Sequence, residues 1–399
     1  MIRVEALPAG NGDCLWVEWT HRGTRRRMLI DGGNGSRTKL PPGLAERFAR
    51  QPLSERRFDL VVCTHFDNDH IGGLLPLFAE PPEGFAADDV WFNGRRHLTA
   101  PDLLGPRQGD RLAELLRVSG QPWNAGTGGA AVAVPDEGPL PVLLLPGLRL
   151  TLLSPTWSGL RRLGAIWEDP DAMPGAEPDP DTGDDAFGAG DLLGDIGPGG
   201  EEGPEAGWGG GFGGPDIPWR ELAGDAHYSR DTAPGNGSSI AFCAEDDEGA
   251  RVLFGADAQA ETLVASLRRL PGGAEPVRVD LCKVPHHGSS RNLSPELVDA
   301  IACRHWLIST DGGRTLGRGA HEAAFRPGEG EHPSLRAMAR IIVRGGARPT
   351  LWFNHRVVST ERYAGALLAQ ELGFGAELPA SGTSGITLLV GDGSVSRGM

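Results

Sequence analysis

The stretch THFDNDHIGG, residues 64–73, places two histidines and two aspartates within six consecutive positions. It follows the apolar run LVVC, which predicts a short buried strand, and it leads into LLPLFAE, whose apolar spacing predicts a helix. In α/β proteins, functional side chains are often placed at such strand ends, because the sheet holds the loop while the loop aims its side chains. The stretch therefore predicts a site at residues 65–70.

The four polar side chains of this stretch are of the types that bind metal ions. Histidine nitrogen and carboxylate oxygen are common protein ligands of Zn, Mn and Fe(II). Where a loop turns into a helix, His65 and Asp67 can face one ion, and Asp69 and His70 can face a second. The alternative is an exposed acidic loop whose histidines cap a helix or bind backbone, and a short motif alone does not exclude it.

Two later segments repeat this arrangement. LFGADA places Asp257 after an apolar strand, and VPHHGSS places His286 and His287 after another. Three separate strand ends thus deliver ligand-type residues, which favours a metal site over an exposed loop.

Composition sets the predicted domain organisation. The 399 residues, 39% of them hydrophobic, are enough for one large α/β domain or two ordinary ones, and we predict a single domain over residues 1–399. Residues 168–231 contain 17 acidic and 2 basic side chains, so they account for the whole net charge of −15. Because Gly, Pro and Asp dominate residues 159–231, we predict an acidic low-complexity insertion there, with much of it mobile.

Other features of the sequence narrow the class of protein. The N-terminal residues do not resemble a signal peptide, and no apolar stretch is long enough to span a bilayer, so we expect a cytoplasmic protein without a membrane partner. Five scattered cysteines form no CxxC pair, which argues against a zinc ribbon or a disulfide framework. No run of Lys or Arg marks a nucleic-acid patch, although a neutral body can hold a local basic path to a phosphate.

The ligand-rich segments, together with others along the chain, resemble those of the metallo-β-lactamase superfamily. Within it, the sequence is most similar to the hydrolase domain of ComEC, the DNA-uptake channel of bacterial competence, and to soluble relatives of that domain. The matching segments occur in the family's order and cover nearly the whole chain outside the insertion: GNGDCLWVEW, MLIDGG, THFDNDHIGGL, NGSSIAF, LFGADA, VPHHGSS, EHPS and GITLLVGDG. The resemblance implies an α/β fold, an αββα four-layer sandwich with the site at one edge of its two sheets.

The resemblance also implies a centre of two divalent ions, Zn or Mn. The ligands it implies are His65 and Asp67 for the first ion, Asp69, His70 and His286 for the second, and Asp257 for both. Asp67 stands where the commoner superfamily motif has a histidine, a departure that ComEC-like members share and that favours harder ions such as Mn. The third ligand of the first ion stays open, with Asn236 and His227 as candidates.

The resemblance also implies further residues around the ions. Asp69 and His332 are the predicted catalytic residues, and His332 would contact the substrate's phosphate or protonate the leaving oxygen. Asp31 would support the ligands from behind, or it is simply a turn-forming aspartate before two glycines. The predicted substrate or supporting contacts are Asn236, Ser239, His287 and Arg291, with packing against His286 as the alternative for His287.

The implied reaction is hydrolysis. Two ions about 3.5–4 Å apart can activate a bridging hydroxide and stabilise the attacking and leaving oxygens. The ComEC likeness favours a phosphodiesterase that acts on nucleic acid (DNA or RNA) or on a nucleotide. Two alternatives stay open: a lactone, thioester or amide hydrolase of the same fold, and a metal-bearing binding module of a defence or uptake assembly, in which the acidic insertion contacts a protein partner. The sequence does not fix the substrate, the metal or the oligomeric state.

Overall fold

Two β-sheets packed face to face form the centre of the protein. The structure is a computed structural model that describes residues 1–36, 38–98, 107–168, 217–270, 276–312 and 332–398. The strands within these ranges are β1 Ile2–Ala6, β2 Leu15–His21, β3 Thr24–Ile30, β4 Arg57–Phe58, β5 Leu60–Val62, β6 Ala86–Ala87, β7 Val90–Trp91, β8 Val142–Leu145, β9 Leu148–Ser154, β10 Ala241–Asp246, β11 Arg251–Phe254, β12 Val277–Arg278, β13 Leu281–Lys283, β14 Ile301–Ala302, β15 His305–Ile308, β16 Thr350–Phe353, β17 Gly375–Glu377, β18 Ile386–Gly391 and β19 Ser394–Arg397.

Helices connect the strands. Those in the described ranges are α1 Pro42–Arg50, α2 Asn68–Ile71, α3 Leu74–Ala79, α4 Arg107–Ser119, α5 Trp157–Glu168, α6 Trp219–Leu222, α7 Ala260–Leu267, α8 Pro295–Asp299, α9 Leu335–Arg344, α10 Val358–Glu361 and α11 Ala366–Leu372. Single 3₁₀ turns span Leu53–Glu55, Arg95–His97, Ala125–Thr127, Asp225–His227, Asn236–Ser238, Pro285–Gly288 and Arg362–Ala364.

The two large sheets differ in strand direction. In the described chain, the first has seven strands in the order β19-β18-β1-β2-β3-β5-β7, and the second has eight in the order β17-β16-β15-β13-β11-β10-β9-β8. β3, β5 and β7 run parallel to one another in the first sheet, and β11, β13, β15, β16 and β17 do so in the second. Two short parallel pairs, β4-β6 and β12-β14, lie outside the large sheets.

Alternating side chains of the first sheet serve two cores. On β2, Leu15 and Val17 belong to the core shared with the second sheet, whereas Trp16 points to the opposite face. There the Trp16 ring lies 5.4 Å from Phe48 of α1 and 4.7 Å from Phe58, both in edge-to-face geometry. Because successive strand residues face opposite sides, a strand that is apolar throughout is covered on both faces.

Helices cover the second sheet in the same way. Leu263 of α7 and Ile341 of α9 are fully buried in the core that also holds the strands of this sheet, and α7 packs on β9. The layers therefore run helix, sheet, sheet, helix. This confirms the predicted α/β sandwich.

Several strand ends meet at one edge of the sandwich. Asp31 directly follows β3, and Thr64 lies two residues beyond β5; the two strands are parallel, and the Asp31 carboxylate accepts the Thr64 backbone N–H at 2.7 Å. In the second sheet Asp257 follows β11 and His286 follows β13, again in parallel register. Parallel strands end on the same side, so these polar residues gather there.

The predicted acidic insertion is structured at both described ends. Helix α5 already contains residues 159–168, and Trp219 and Leu222 of α6 are buried in the main core. Residues 169–216 lie outside the described residues. The single-domain boundary and the role of the insertion stay predictions.

Two further features concern the chain as a whole. All five cysteines are buried and free of disulfides. No helix in the described ranges combines the length and the apolar character that crossing a membrane requires.

Gly12, in the loop between β1 and β2, lies against the backbone of the 64–73 stretch. A Cβ at Gly12 would lie 1.7 Å from the Asp69 carbonyl oxygen. We therefore expect Gly12→Ala to lower the free energy of unfolding by about 1–3 kcal/mol, as overpacked substitutions do, measured by urea denaturation. Gly365→Ala is the matched control, because its Cβ would meet only Leu368 Cβ at 3.9 Å. Equal stability of the two variants would contradict the predicted clash.

Candidate metal centre

The candidate site is built from the strand ends at the sandwich edge. Asp67 is the N-cap residue of α2, so Asp69 and His70 occupy the first turn of that helix. Asp257 lies in the turn between β11 and α7, and His286 and His287 lie in the 3₁₀ turn after β13. Asp67, Asp69, His70, Asp257, His286 and His287 are all buried, as are Asp31 and His65.

Four histidine nitrogens converge on one carboxylate oxygen. Asp257 Oδ2 lies 3.2 Å from His70 Nε2, 3.7 Å from His286 Nε2, 3.7 Å from His287 Nε2 and 4.0 Å from His65 Nε2. Asp69 Oδ2 lies 3.1 Å from His287 Nε2, and Asp67 Oδ2 lies 3.3 Å from His65 Nε2. The Nε2 atoms therefore point at carboxylate oxygens from several directions.

The outer nitrogens of His65 and His70 are engaged behind the site. His70 Nδ1 donates to Asp31 Oδ2 at 2.9 Å, because a carboxylate can only accept. The Thr64 hydroxyl donates its hydrogen to Asp31 Oδ2 at 2.8 Å, so it accepts from His65 Nδ1 at 3.0 Å. Both imidazoles thus carry a proton on Nδ1.

His286 and His287 are held in the same way by other partners. His287 Nδ1 donates to the Ser309 carbonyl at 2.8 Å, and His286 Nδ1 donates to Asn292 Oδ1 at 2.9 Å. Asn236 Nδ2 also lies 3.3 Å from His286 Nδ1, but both are donors there, so the shorter contact to Asn292 decides the tautomer. In neutral form, all four histidines would turn an Nε2 lone pair towards carboxylate oxygens. That arrangement is repulsive unless a proton or a metal ion lies between.

The charge of the site also calls for cations. Four buried carboxylates, of Asp31, Asp67, Asp69 and Asp257, have no ion pair with a lysine or arginine among the described residues. Burying that much negative charge is costly unless it is neutralised. Two divalent ions would balance four carboxylates, and the mixed imidazole and carboxylate ligands suit Zn or Mn.

The pKa directions agree with a site that holds positive charge. Burial lowers the pKa of His70, but the charges of Asp257, Asp69 and Asp31 outweigh it and raise that pKa well above its ordinary value. Burial raises the pKa of Asp257, but His70, His286 and His287 outweigh it and lower that pKa well below its ordinary value. The protonated form of His70 is thus favoured beside these carboxylates.

Three groups of described residues offer ligand atoms close enough to hold an ion: His65, His70 and Asp257; Asp69, His70 and His287; and Asp13, Asp31 and His70. The first two groups contain four of the predicted ligands, together with His287. Asp67 joins them through His65, and His286 joins them through Asp257. The predicted division between a first and a second ion stays a prediction, as do the roles of Asp69 and His332 in catalysis.

The structure brings His287 as close to Asp257 as it brings His286. Both Nε2 atoms lie 3.7 Å from Asp257 Oδ2, and only His287 also lies beside Asp69. His287 was predicted as a substrate or packing residue. The two residues are neighbours with left-handed backbone, φ 44° and 54°, which turns both rings into the cluster.

Asp31 lies behind the cluster with no exposed surface. Its carboxylate accepts from the Thr64 backbone N–H, the Thr64 hydroxyl and His70 Nδ1. Its backbone is left-handed at φ 59°. One carboxylate thus orients two of the histidines, directly for His70 and through Thr64 for His65.

Asn236 and Ser239 lie in the loop that passes over Asp67. A Cβ at Gly235 would be 3.6 Å from Asp67 Oδ1. The Asn236 amide donates to Asp231 Oδ2 at 2.9 Å, and Asp231 also accepts from the Asn292 amide at 2.8 Å. In this arrangement Asn236 supports the residues behind His286. Ser239 is buried, and its Oγ has no hydrogen-bond partner among the described residues.

His332 and Arg291 lie next to the 3₁₀ turn Pro285–Gly288, which carries His286 and His287 and is called the histidine turn here. The His332 ring centroid is 5.4 Å from that of His286 and 6.2 Å from that of His287. Arg291 is buried, and its Nη2 donates to the Arg230 carbonyl at 3.4 Å. The side chain of His227 and residue His321 lie outside the described residues.

Three other histidines, His21, His97 and His305, have partners elsewhere. His21 Nδ1 contacts Asp247, and His305 Nδ1 accepts from Trp352. His97 packs edge-on against Trp123. Burial and the Arg96 charge lower the pKa of His97 to about 4.

Sequence reasoning missed several residues of the outer layer. Asp13 and Lys283 form a buried ion pair beside His287, and Asp231 and Asn292 hold His286. Asp13 stands in GNGDC and Lys283 immediately precedes VPHHGSS, so both adjoin recognised segments. A lysine at the end of an otherwise apolar buried strand was the available signal.

A model of the metallo-beta-lactamase superfamily matches residues 7–92. The matched range contains Asp13, Asp31 and the ligand-rich stretch 64–73, whereas Asp257 and the histidine turn lie beyond it. The structure brings those later residues together with His70 of the matched range. No curated protein matches the chain.

Among solved structures, the chain is similar to a metallo-beta-lactamase from Pontibacter korlensis. The two share 13% identity over 37% of this chain, at a TM-score of 0.17. The match spans 59% of the length of that protein. A likeness of this size carries no weight for fold or chemistry.

Replacing Asp257 tests the metal centre. We expect wild-type protein dialysed against Mn or Zn to retain two ions per chain and Asp257→Asn to retain fewer than one, because Asp257 Oδ2 is the oxygen on which the histidines converge. Metal content is measured by mass spectrometry. Asp280→Asn, at a buried carboxylate that accepts backbone N–H groups elsewhere, is the control and should retain both ions. Two ions in Asp257→Asn would contradict the assignment.

Metal loading is expected to release protons. The raised pKa of His70 means that the metal-free protein holds a proton there near neutral pH, and an ion must displace it. The apparent affinity for the ion should therefore fall as the pH is lowered. An indicator dye in weakly buffered protein would show acidification on adding Zn, and ion binding without proton release would contradict the prediction.

Proposed function

We propose that this protein is a metal-dependent hydrolase of the metallo-β-lactamase type that cleaves phosphodiester bonds in nucleic acid or a nucleotide. The observation that carries the proposal is the convergence of four histidine Nε2 atoms on Asp257 Oδ2, within a set of four buried carboxylates. The superfamily match over residues 7–92 supports it independently. The closer ComEC-like relationship rests on the segments quoted above.

The residues fit two divalent ions, and the chain's own groups divide the remaining tasks. When bound, such ions supply an activated water and stabilise negative charge on the reacting oxygens. Asp69 and Asp257 each have an Oδ1 without a hydrogen-bond partner among the described residues, so each can hold an ion or accept a proton from water. We assign the protonation of a leaving oxygen to His332, whose ring lies beside that of His286.

Arg291 favours a phosphodiester over an uncharged ester. Its side chain is buried, and neither Nε nor Nη1 has a hydrogen-bond partner among the described residues. A buried guanidinium with unused donors is costly unless an anion approaches it. Arg291 lies three residues after the histidine turn, so it belongs to the same part of the protein as His286 and His287. A substrate phosphate bound at the ions would lie in that part of the protein as well.

Two further elements of the proposal come from the sequence. We propose a cytoplasmic location, and we propose that the acidic insertion contacts a protein partner. The choice between Mn and Zn is left to measurement.

Purified protein with Mn or Zn is tested on single-stranded DNA, RNA, cyclic dinucleotides and a panel of lactones. We expect phosphodiester cleavage that is lost in Asp69→Ala and His70→Ala. If the wild-type protein cleaves lactones but no phosphodiester, and the same variants lose that activity, the proposed substrate is wrong. The assignment as a metal-dependent hydrolase would then still hold. Stoichiometric metal binding without turnover of any substrate would favour a binding module.

Arg291→Gln separates substrate binding from metal binding. We expect kcat/KM for the cleaved phosphodiester to fall by about tenfold or more, as for the loss of a hydrogen bond to a charged group, while the metal content stays at the wild-type value. The control is Arg251→Gln, at a partly exposed arginine that pairs with Glu245. Equal kcat/KM for the two variants would contradict a role of Arg291 in substrate binding.

A further inference from the structure

A buried ion pair lies directly behind His287. Lys283 Nζ is 2.6 Å from Asp13 Oδ2, and each residue is only 1% exposed. Lys283 Nζ also donates to the Val284 carbonyl at 3.0 Å. Both charges are thus held in one geometry inside the protein.

The two residues come from different sheets. Asp13 lies between β1 and β2, and its backbone N–H donates to the Asp69 carbonyl at 3.2 Å. Lys283 ends β13, three residues before His286. The ion pair therefore ties the loop between β1 and β2, which is hydrogen-bonded to the Asp69 carbonyl, to the turn that carries His286 and His287.

The second carboxylate oxygen of Asp13 faces His287. Asp13 Oδ1 has no hydrogen-bond partner among the described residues, and it lies 3.6 Å from His287 Nδ1. That nitrogen donates to the Ser309 carbonyl at 2.8 Å, and the Ser309 hydroxyl donates to the Gly12 carbonyl at 3.0 Å. The Asp13 charge thus stands behind the Nδ1 proton of His287, as the Asp31 charge stands behind that of His70.

Stability alone is a poor reason for such a pair. Removing two charges from water costs about as much as their attraction returns, and apolar residues of similar volume often serve as well or better. A carboxylate behind a metal-binding imidazole, in contrast, fixes the tautomer and makes the other nitrogen a stronger donor. The position of Asp13 fits the second role.

We propose that Asp13 and Lys283 are positioning residues for His287. Lys283 orients the Asp13 carboxylate, and the Asp13 charge reinforces the Nδ1 proton that His287 donates to the Ser309 carbonyl, so that Nε2 would offer its lone pair to an ion held together with Asp69. The inference rests on the metal centre of the proposed function, and it does not depend on which substrate is cleaved.

The test is the double variant Asp13→Asn/Lys283→Met, which removes both charges and leaves no single buried charge. Equilibrium dialysis with Co²⁺ gives the number and the dissociation constant of the bound ions, and the visible spectrum of Co²⁺ reports their ligands. We expect a folded protein that keeps one ion and binds the other about 10–100-fold more weakly. His287→Gln should weaken the same ion and change the same part of the spectrum.

The matched control is Glu18→Gln/Arg27→Met. Arg27 Nε lies 3.0 Å from Glu18 Oε1, and both side chains are buried, but this pair contacts none of the site residues. It should keep both ions at wild-type affinity. If the Asp13/Lys283 variant also keeps both affinities, the positioning role is overturned.

Two further outcomes separate the possible failures. If the double variant does not fold, Asp13→Glu replaces it, because it keeps both charges and moves the carboxylate by one methylene. We expect it to weaken the same ion, and unchanged affinities would overturn the inference. Failure of the wild-type protein to bind any ion would instead overturn the proposed function.

Discussion

Buried negative charge at one edge of the sandwich is the constraint on which the rest of the site depends. Four carboxylates gather there without lysine or arginine ion-pair partners in the described chain, and four imidazoles turn towards them. Neutral imidazoles facing carboxylates are stable only with a cation between them. The strand ends, the left-handed backbone at His286 and His287, and the close approach of Gly12 to Asp69 together hold that geometry.

Each histidine has a different partner behind it. His70 has a carboxylate, His65 a hydroxyl, His286 a side-chain amide, and His287 a backbone carbonyl with a carboxylate close by. These partners withdraw the Nδ1 proton to different degrees, so the four Nε2 atoms differ in basicity. Two ions bound here would have ligands of unequal strength. The asymmetry arises in the groups that accept from Nδ1 and not in the imidazoles themselves.

The α/β sandwich was predicted through the family resemblance, whereas the gathering of ligand-type residues at one sheet edge was predicted from local signals. Ligand-type residues in THFDNDHIGG, LFGADA and VPHHGSS directly follow apolar strands, and parallel strands end at one edge. The ion pair of Asp13 and Lys283 was missed because its partners are distant in sequence and meet only through sheet packing. Composition also hid the burial of Trp219, since a Gly- and Asp-rich window averages over a short helix with only two buried apolar residues.

The centre is divided between distant parts of the chain. His70 and Asp257 are in contact although they are 187 positions apart in the sequence, and they follow strands of different sheets. On the ribosome, the 64–73 stretch is therefore made long before its partners exist. An ion captured early would meet only half of its ligands, so the centre closes after the second sheet has docked. Uptake of metal ions would then report the completion of folding.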